Sequence, residues 1–323
     1  MVGSDAPETD PAPTPRAGAR RLLLVVNPGA RNGAAPVDAA LDVLRAQGIE
    51  IVQQACTPGL TMADAIRAHD PAHLGGVVVG GGDGTMNAAA PALLETGLPL
   101  GILPLGTAND LARTLGIAAD PIAAAQVIAA GRLRPIDLGE VNGRPFFNVA
   151  SIGFSADLAR TLRADFKRRW GRLGYAIAAI QLFRHARPFR VEIDLDGASH
   201  RMRAIQVSVG NGRHYGGGMT VHRDAEPDDG ILDTYAIELR RWWRIVALLP
   251  ALRSGTYDSW PDVRGFHSAD CTVHTRRPRA VNADGEIVTE TPARFRVLPL
   301  AIRVFAPPPP LRPRTDRQLQ EGR

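Results

Sequence analysis

Residues Gly75–Ala90 read GGVVVGGGDGTMNAAA, and no other stretch limits the possible folds of this chain so tightly. The apolar run Val77–Val79 stops at three glycines, and Asp83, Gly84 and Thr85 then lead into an alanine-rich run. That is the pattern of a buried strand, a tight turn and a helix start. Glycine lets the backbone approach a ligand closely and take positive φ. The helix that follows offers free N–H groups and its positive dipole end to an anion. A lone glycine turn would be a plain strand-to-helix connection. An acid and a hydroxyl inside the turn point to phosphate chemistry, with Asp83 meeting a metal–phosphate or a substrate hydroxyl.

The same alternation runs from residue 21 to 130. Strand candidates Arg21–Val26, Ile49–Ala55, Gly76–Val79 and Leu100–Leu103 are interleaved with helical spacings at Val37–Gln47, Thr61–His69, Asn87–Glu95, Leu111–Leu115 and Ile122–Ala130. Such βαβ units build an α/β domain on a mainly parallel sheet covered on both faces. Ligands bind such sheets at the carboxyl ends of the strands. Three Gly/Asn-rich loops fall there, at 27–33, 80–87 and 104–110, and are expected to line one crevice.

Beyond residue 135 the pattern changes to short strands, among them Ile136–Val141, Phe189–Leu195, Met202–Gly210, Ile231–Glu238, Phe295–Leu298 and Ala301–Phe305. Turn dipeptides such as Asn142-Gly143 and Asp196-Gly197 separate them, the signature of an antiparallel, sandwich-like second domain. Helical stretches at 156–186 and 240–253 interrupt it. The expected division is a proline-rich tail at 1–19, an α/β domain at 20–135, a β-rich domain at 136–306 whose last strand is free to return to the first, and a tail at 307–323.

At 323 residues and 45% hydrophobic the chain can bury a sizeable core. Its net charge of +5 rests almost wholly on arginine, because Lys167 is the sole lysine. Anionic partners are favoured: nucleotides or anionic lipid. The basic residues are dispersed in sequence and no nucleic-acid motif occurs, so nucleic acid is not expected. Cys56 and Cys271 are far apart and the histidines form no HxH or HxxxH pair, so neither a zinc site nor a disulfide framework is indicated. No signal peptide and no membrane span are read, which leaves a cytoplasmic protein. There is no GxxxxGK[ST], no GxSxG and no dinucleotide GxGxxG with its later acid.

An ordered series of motifs extends over residues 21–306: Asn27-Pro28, Thr57, Gly80–Thr85, Pro104–Asp110, Asn148–Phe154, Gly210-Asn211 with Gly216–Gly218, Pro227–Asp233 and Asn282–Glu286. In this order they resemble the diacylglycerol kinase catalytic-domain family, which includes sphingosine and ceramide kinases. The resemblance implies an α/β nucleotide domain, a β-sandwich-like domain and an active site between them. It implies that Asn27, Pro28, Gly29, Ala30, Arg31, Thr57, Gly82, Asp83, Gly84, Thr85, Met86, Asn87, Ala88 and Thr107 contact ATP. Glu286 is implied as proton acceptor in a carboxylate network with Asp83 and Asp110, although some relatives point to the aspartate matching Asp83 as the base. Glu226, Asp229 and Ile231 are implied to hold a structural Mg2+, the last through its carbonyl.

Three departures stand out. The first loop lacks the serine and lysine of NPxSGK and reads NPGARNG, the glutamate of GGDGTxNE is Ala88, and lysine is missing wherever a phosphate would want it. Arg31 is suited to reach phosphate oxygens in lysine's place. Phosphoryl transfer is mainly positioning and charge stabilisation, and hard carboxylate ligands such as Asp83 and Asp110 suit magnesium.

The expected activity is ATP-dependent phosphorylation of a diacylglycerol-like lipid hydroxyl, with NAD kinase or a non-catalytic lipid- or nucleotide-binding regulator as alternatives. The expected partner is a lipid at an anionic membrane surface, met peripherally through Phe166–Arg172 or Arg240–Val246, which mix arginine with aromatics. The sequence leaves a homodimer open.

Overall fold

The computed structural model describes residues 20–27, 29, 35–55, 59–161, 187–238, 244–257 and 260–309. Four parallel strands form the first part of a sheet in the order β2 (Glu50–Ala55), β1 (Arg21–Val26), β3 (Gly76–Gly81), β4 (Leu100–Pro104). Every residue of β3 and β4 is buried, which is why both read as continuous apolar runs. Helices α1 (Ala35–Ala46), α2 (Met62–Arg67), α3 (Asp83–Thr96), α4 (Asp110–Thr114) and α5 (Pro121–Ala129) alternate with these strands. Thr61 and Asp120 cap α2 and α5 by accepting N–H groups in the first turns, of Asp64 and Ala123. Helix α3 starts at Asp83, four residues before the expected Asn87, so the acid sits in the first turn where it complements the helix dipole.

The chain then forms β5 (Leu133–Val141), β6 (Arg144–Phe146), β7 (Val149–Gly153) and α6 (Phe154–Thr161). After the segment beyond α6 come β8 (Phe189–Leu195), β9 (Ala198–Ala204), β10 (Gln206–Gly210), a small hairpin of β11 (His214–Tyr215) and β12 (Met219–Thr220), and β13 (Leu232–Ile237). Helix α7 (Arg244–Ser254) leads to β14 (Val263–Ser268), β15 (Asp270–Thr275), β16 (Ala280–Ala283), β17 (Glu286–Glu290) and β18 (Ala293–Phe305). One sandwich sheet is antiparallel throughout, in the order β14-β13-β10-β7-β16-β17. The other is a continuation of the α/β sheet itself: β4-β18-β15-β8-β9, with β5 paired along β18 and β6 on β5. Phe146, Ile193, Val209 and Phe295 are buried between the two sheets.

Two strand expectations change. The run 202–210 is two strands, broken at Ile205, whose N–H bonds Ile237 O (2.8 Å) and whose carbonyl takes Phe154 N–H (3.1 Å), so the chain passes from one sheet to the other there. The runs 295–298 and 301–305 are one long strand, β18, which pairs with β15 at its start and with β4 near its end. Between the pairs Leu298↔Leu138 and Ile302↔Ile136 it bulges, with Leu300 at φ 49°. Asp137 sits opposite the bulge. Its carboxylate accepts Leu300 N–H and Gly230 N–H, both at 2.7 Å, and burial pushes its carboxyl above the usual range. β14 and β17 were not expected as strands, because as half-exposed edges they carry mixed polar sequences without clean alternation.

Candidate active site

The described parts of the three expected loops, of the first only Asn27 and Gly29, meet at the carboxyl ends of the parallel strands. Asn27, just after β1, donates from Nδ2 to Thr85 Oγ1 (3.1 Å), and its Oδ1 accepts Gly29 N–H (2.9 Å). The loops after β3 and β4 lie against each other, with Leu105 N–H on Gly81 O at 3.0 Å. A Cβ on Gly106 would stand 2.5 Å from Gly82 Cα, and one on Gly81 would stand 2.4 Å from Thr85 Oγ1. These glycines therefore let loop pack on loop before any ligand is considered. Asn109, at φ 51°, clasps Gly106 through both its N–H (3.0 Å) and its carbonyl (3.1 Å). Gly106→Ala is expected to cost about 1–3 kcal/mol through overpacking. A urea midpoint indistinguishable from wild type would contradict that close approach.

At the head of α3, Thr85 and Met86 N–H turn back to Gly82 O (2.9 and 3.1 Å), and no side chain caps the helix. The N–H groups of Asp83 and Gly84 have no partner among the described residues, so the helix presents two free donors to an anion.

Three aspartates converge at this crevice. Asp83 Oδ1 accepts Leu111 N–H (3.0 Å), tying the head of α3 to α4. Asp110, the first residue of α4, is buried. Its Oδ2 accepts Gly217 N–H (2.8 Å), while its Oδ1 is buried with no hydrogen-bond partner. Burial pushes the Asp110 carboxyl up, the Asp83 charge adds to the rise, and the Gly217 N–H opposes it. Asp284 arrives from the sandwich. It accepts N–H from Phe147 (2.7 Å), Asn148 (3.1 Å) and Val149 (3.1 Å), fixing the loop between β6 and β7. Burial pushes the Asp284 carboxyl up to about 6, its N–H donors pull against that, and the charge of Asp83 adds to the rise. The local reason for its placement is the turn: Asp284 at φ 46° and Gly285 at φ 97° form the two-residue connection of the β16–β17 hairpin, which needs positive φ at both positions.

Of the carboxylates expected to work together, Asp83 and Asp110 are electrostatically coupled. The described member from the second domain is Asp284, two residues before the expected Glu286. Glu286 is exposed at the start of β17, and its carboxylate makes no hydrogen bond or ion pair with another described residue. An anionic pair with a buried, unpartnered carboxylate oxygen fits a magnesium ion. Asp83 and Asp110 are the residues that would hold it.

The trio Glu226, Asp229 and Ile231 does not fit a cation through its side chains. Asp229 turns its carboxylate onto the N–H groups of Ile231 (3.0 Å) and Glu226 (3.3 Å). Glu226 faces two guanidiniums, Arg213 at 2.8 Å and Arg134 at 3.7 Å. Arg134 also forks onto Asp228, so this stretch is a turn satisfied by arginine.

Among the other expected ATP contacts, Thr107 and Ala88 are exposed, and Met86 is buried in the α/β core. Asn87 keeps a buried, unpartnered Oδ1. Pro28, Ala30, Arg31 and Thr57 lie outside the described residues, as do Phe166–Arg172 and most of Arg240–Val246. Among the described residues no helix is long and apolar enough to cross a membrane.

Sequence reading missed the parts played by Asp284, Gly217 and Asn211. Asn211 donates to Asp137 O and Phe147 O, both at 3.0 Å, and receives no donor at its own buried Oδ1. The available signal was the triple glycine 216–218. All three take positive φ (59°, 85° and 110°), a conformation that brings this loop of the second domain over Asp110.

Residues 21–141 match a family model described as the diacylglycerol kinase catalytic domain, and residues 148–306 match one described as the YegS C-terminal NAD kinase beta sandwich-like domain. A Klebsiella pneumoniae (strain 342) protein named probable lipid kinase YegS-like is 34% identical over 278 residues, 83% of this chain and 90% of that one. A protein of Mycobacterium tuberculosis (strain H37Rv) named diacylglycerol kinase is 32% identical over 308 residues, 89% and 95% of the two chains. A crystal structure from Bacillus anthracis strain Sterne, described as a diacylglycerol kinase, is 22% identical with a TM-score of 0.73 over 90% of this chain and 97% of that one, which shows the shared fold. A second structure from that strain reaches a TM-score of 0.76 at 26% identity over 90% and 96%. With both halves matched in order and the similarity spanning nearly the whole of its relatives, the chain belongs to the YegS-like and diacylglycerol kinase family of lipid kinases.

Proposed function

We propose that this lipid kinase transfers the γ-phosphoryl group of ATP to the hydroxyl of a diacylglycerol-like lipid, with Mg2+, at the cytoplasmic face of a membrane. The observation that carries the reading is the meeting of Asp83, Asp110 and Asp284 at the interdomain crevice, beside the free N–H groups of α3. Backbone donors and the helix dipole suit the phosphates, and the Asp83–Asp110 pair suits the ion that neutralises them.

Glu286 is the proton acceptor in this proposal. A base must offer free lone pairs to the hydroxyl it deprotonates. Asp83 spends one oxygen on Leu111 N–H and faces the ion with the other, and Asp284 spends both on backbone donors, whereas the Glu286 carboxylate is uncommitted among the described residues.

The test is labelled ATP with Mg2+ and, separately, diacylglycerol, phosphatidylglycerol, sphingosine, ceramide and NAD. Label is expected in the organic phase with diacylglycerol. Label confined to NAD would overturn the proposal, and ATP binding without transfer to any acceptor would make the protein a regulator. Glu286→Gln is expected to lower kcat by roughly a hundredfold or more while ATP affinity holds, and full turnover in that variant would move the base to another residue.

A further inference from the structure

The outer face of the sandwich, formed by β9, β8 and β15, is left uncovered by every described element. Its outward residues, with those of the neighbouring β18 and β5, form ion pairs directly across or diagonally between strands. Arg201 pairs with Glu192 (3.0 Å), His274 with Asp194 (3.1 Å), Arg294 with Asp270 (2.7 Å) and Arg296 with Glu140 (2.7 Å). Each of these acids already has a cation beside it, and Glu192 has two, Arg201 and His274. The row at one end is different. Arg203 stands directly across from Arg190, and Arg276 follows Thr275, the partner of Val191, and so continues the row beside Arg190. All three are exposed, and none makes an ion pair with another described residue. They line a shallow groove that also takes in Met202 and Thr275 and, from the next row, Glu192 with its partner Arg201 and His274.

Like charges directly opposite on neighbouring strands, about 5 Å apart, repel and destabilise a sheet. Three in a row with no ion-pair partner among the described residues make a site for external anions. We infer that the Arg190–Arg203–Arg276 row is a docking surface for the phosphate headgroups of an anionic membrane, a role that rests on the proposed lipid acceptor. An open, exposed cationic sheet face suits contact with a plane of anionic headgroups. A second copy of the chain is a poor occupant, because a two-fold pairing would set arginine against arginine. Arg203 lies at the end of β9, and β10 runs from there to Asn211, whose N–H bonds Asn148 O beside Asp284. A five-residue strand spans about 16 Å, so the row and the carboxylates stand at opposite ends of β10, on the two sheets of the sandwich.

The test is sedimentation of the full chain with phosphatidylcholine vesicles, with and without phosphatidylglycerol. Wild type is expected to sediment with the anionic vesicles and to be released as salt rises past the range where charges are screened. Arg190→Ser/Arg203→Ser/Arg276→Ser is expected to bind roughly fivefold more weakly per arginine lost, on the order of a hundredfold in all. The corresponding lysine triple variant keeps the charge and is expected to restore binding, which separates charge from misfolding. Sedimentation of the serine variant equal to wild type would overturn the surface, as would lost binding that lysine does not restore. Binding of the row to single-stranded DNA with no binding to vesicles would overturn it too. Phosphorylation of detergent-dispersed diacylglycerol separates the two proposals. The serine variant is expected to match wild type there, and if wild type itself fails to turn over, the activity falls while vesicle binding still judges the surface.

Discussion

Asp83→Asn is expected to lower lipid phosphorylation by roughly a hundred- to a thousandfold while the thermal midpoint stays the same or rises. Asparagine keeps the acceptor that Leu111 N–H uses at 3.0 Å, so the junction of α3 and α4 survives. What goes is the charge. In the native protein that charge helps to raise the carboxyls of both Asp110 and Asp284, an electrostatic cost built into the fold. Removing it relieves the folded state and weakens the cation and phosphate site together, the usual opposition of stability and activity at a functional centre. The activity loss is of the size seen when one preorganised electrostatic element is taken from a transition state. Isotope-edited NMR should show the Asp284 carboxyl titrating below about 6 in the variant. Full activity, or an activity loss accompanied by a lower midpoint, would refute the assignment.

Asp284 supplies the second large effect, on stability. Its carboxyl titrates at about 6 in the folded protein, against 3.8 for an ordinary aspartate in water. The folded state therefore holds this proton through a pH range where the unfolded chain has released it. For such a raised acid, stability falls as pH climbs from about 4 to 6 and stays reduced above that. Each pH unit across that window is worth about 1.36 kcal/mol, so the whole effect is on the order of 3 kcal/mol. Asp284→Asn does not titrate. Relative to wild type it should therefore gain on the order of 3 kcal/mol on going from acid to neutral pH. Urea midpoints of both proteins at pH 4 and pH 7.5 measure this, because groups that do not interact with Asp284 cancel in the difference. A stability gap that does not vary with pH would show that Asp284 is not held in the raised state.

The parallel half of the fold was legible because its signal is local. β3 and β4 are buried on both faces, and GVVVGG and LGILP read as uninterrupted apolar runs that end in glycine and proline. The second half was legible in class but not in connection. Met202–Gly210 looks like a single strand, yet Ile205 bonds to Ile237 and Phe154 and hands the chain to the other sheet. The break at Pro299-Leu300 reads as a turn between two strands, and only the pairing with β5, with Asp137 opposite the bulge, makes it one strand serving both domains. For the site, Asp83 and Asp110 were readable from their strand-end loops. The Asp284–Gly285 turn was readable as a hairpin, but its carboxylate's hold on Phe147, Asn148 and Val149 was not, since those partners lie about 136 positions away.

Sequence alone determined the family, the parallel sheet and the glycine loop around Asp83, because hydrophobic period and turn chemistry act over a few residues. The tertiary structure decided what that loop is for. It packed Gly106 onto Gly82, brought Gly217 over Asp110, and set Asp284 within the field of Asp83. It also gathered Arg190, Arg203 and Arg276, scattered through the chain, into one row without an ion pair among the described residues. Coulomb and packing forces depend on distance in space, and only the closed sheet turns distant positions into neighbours.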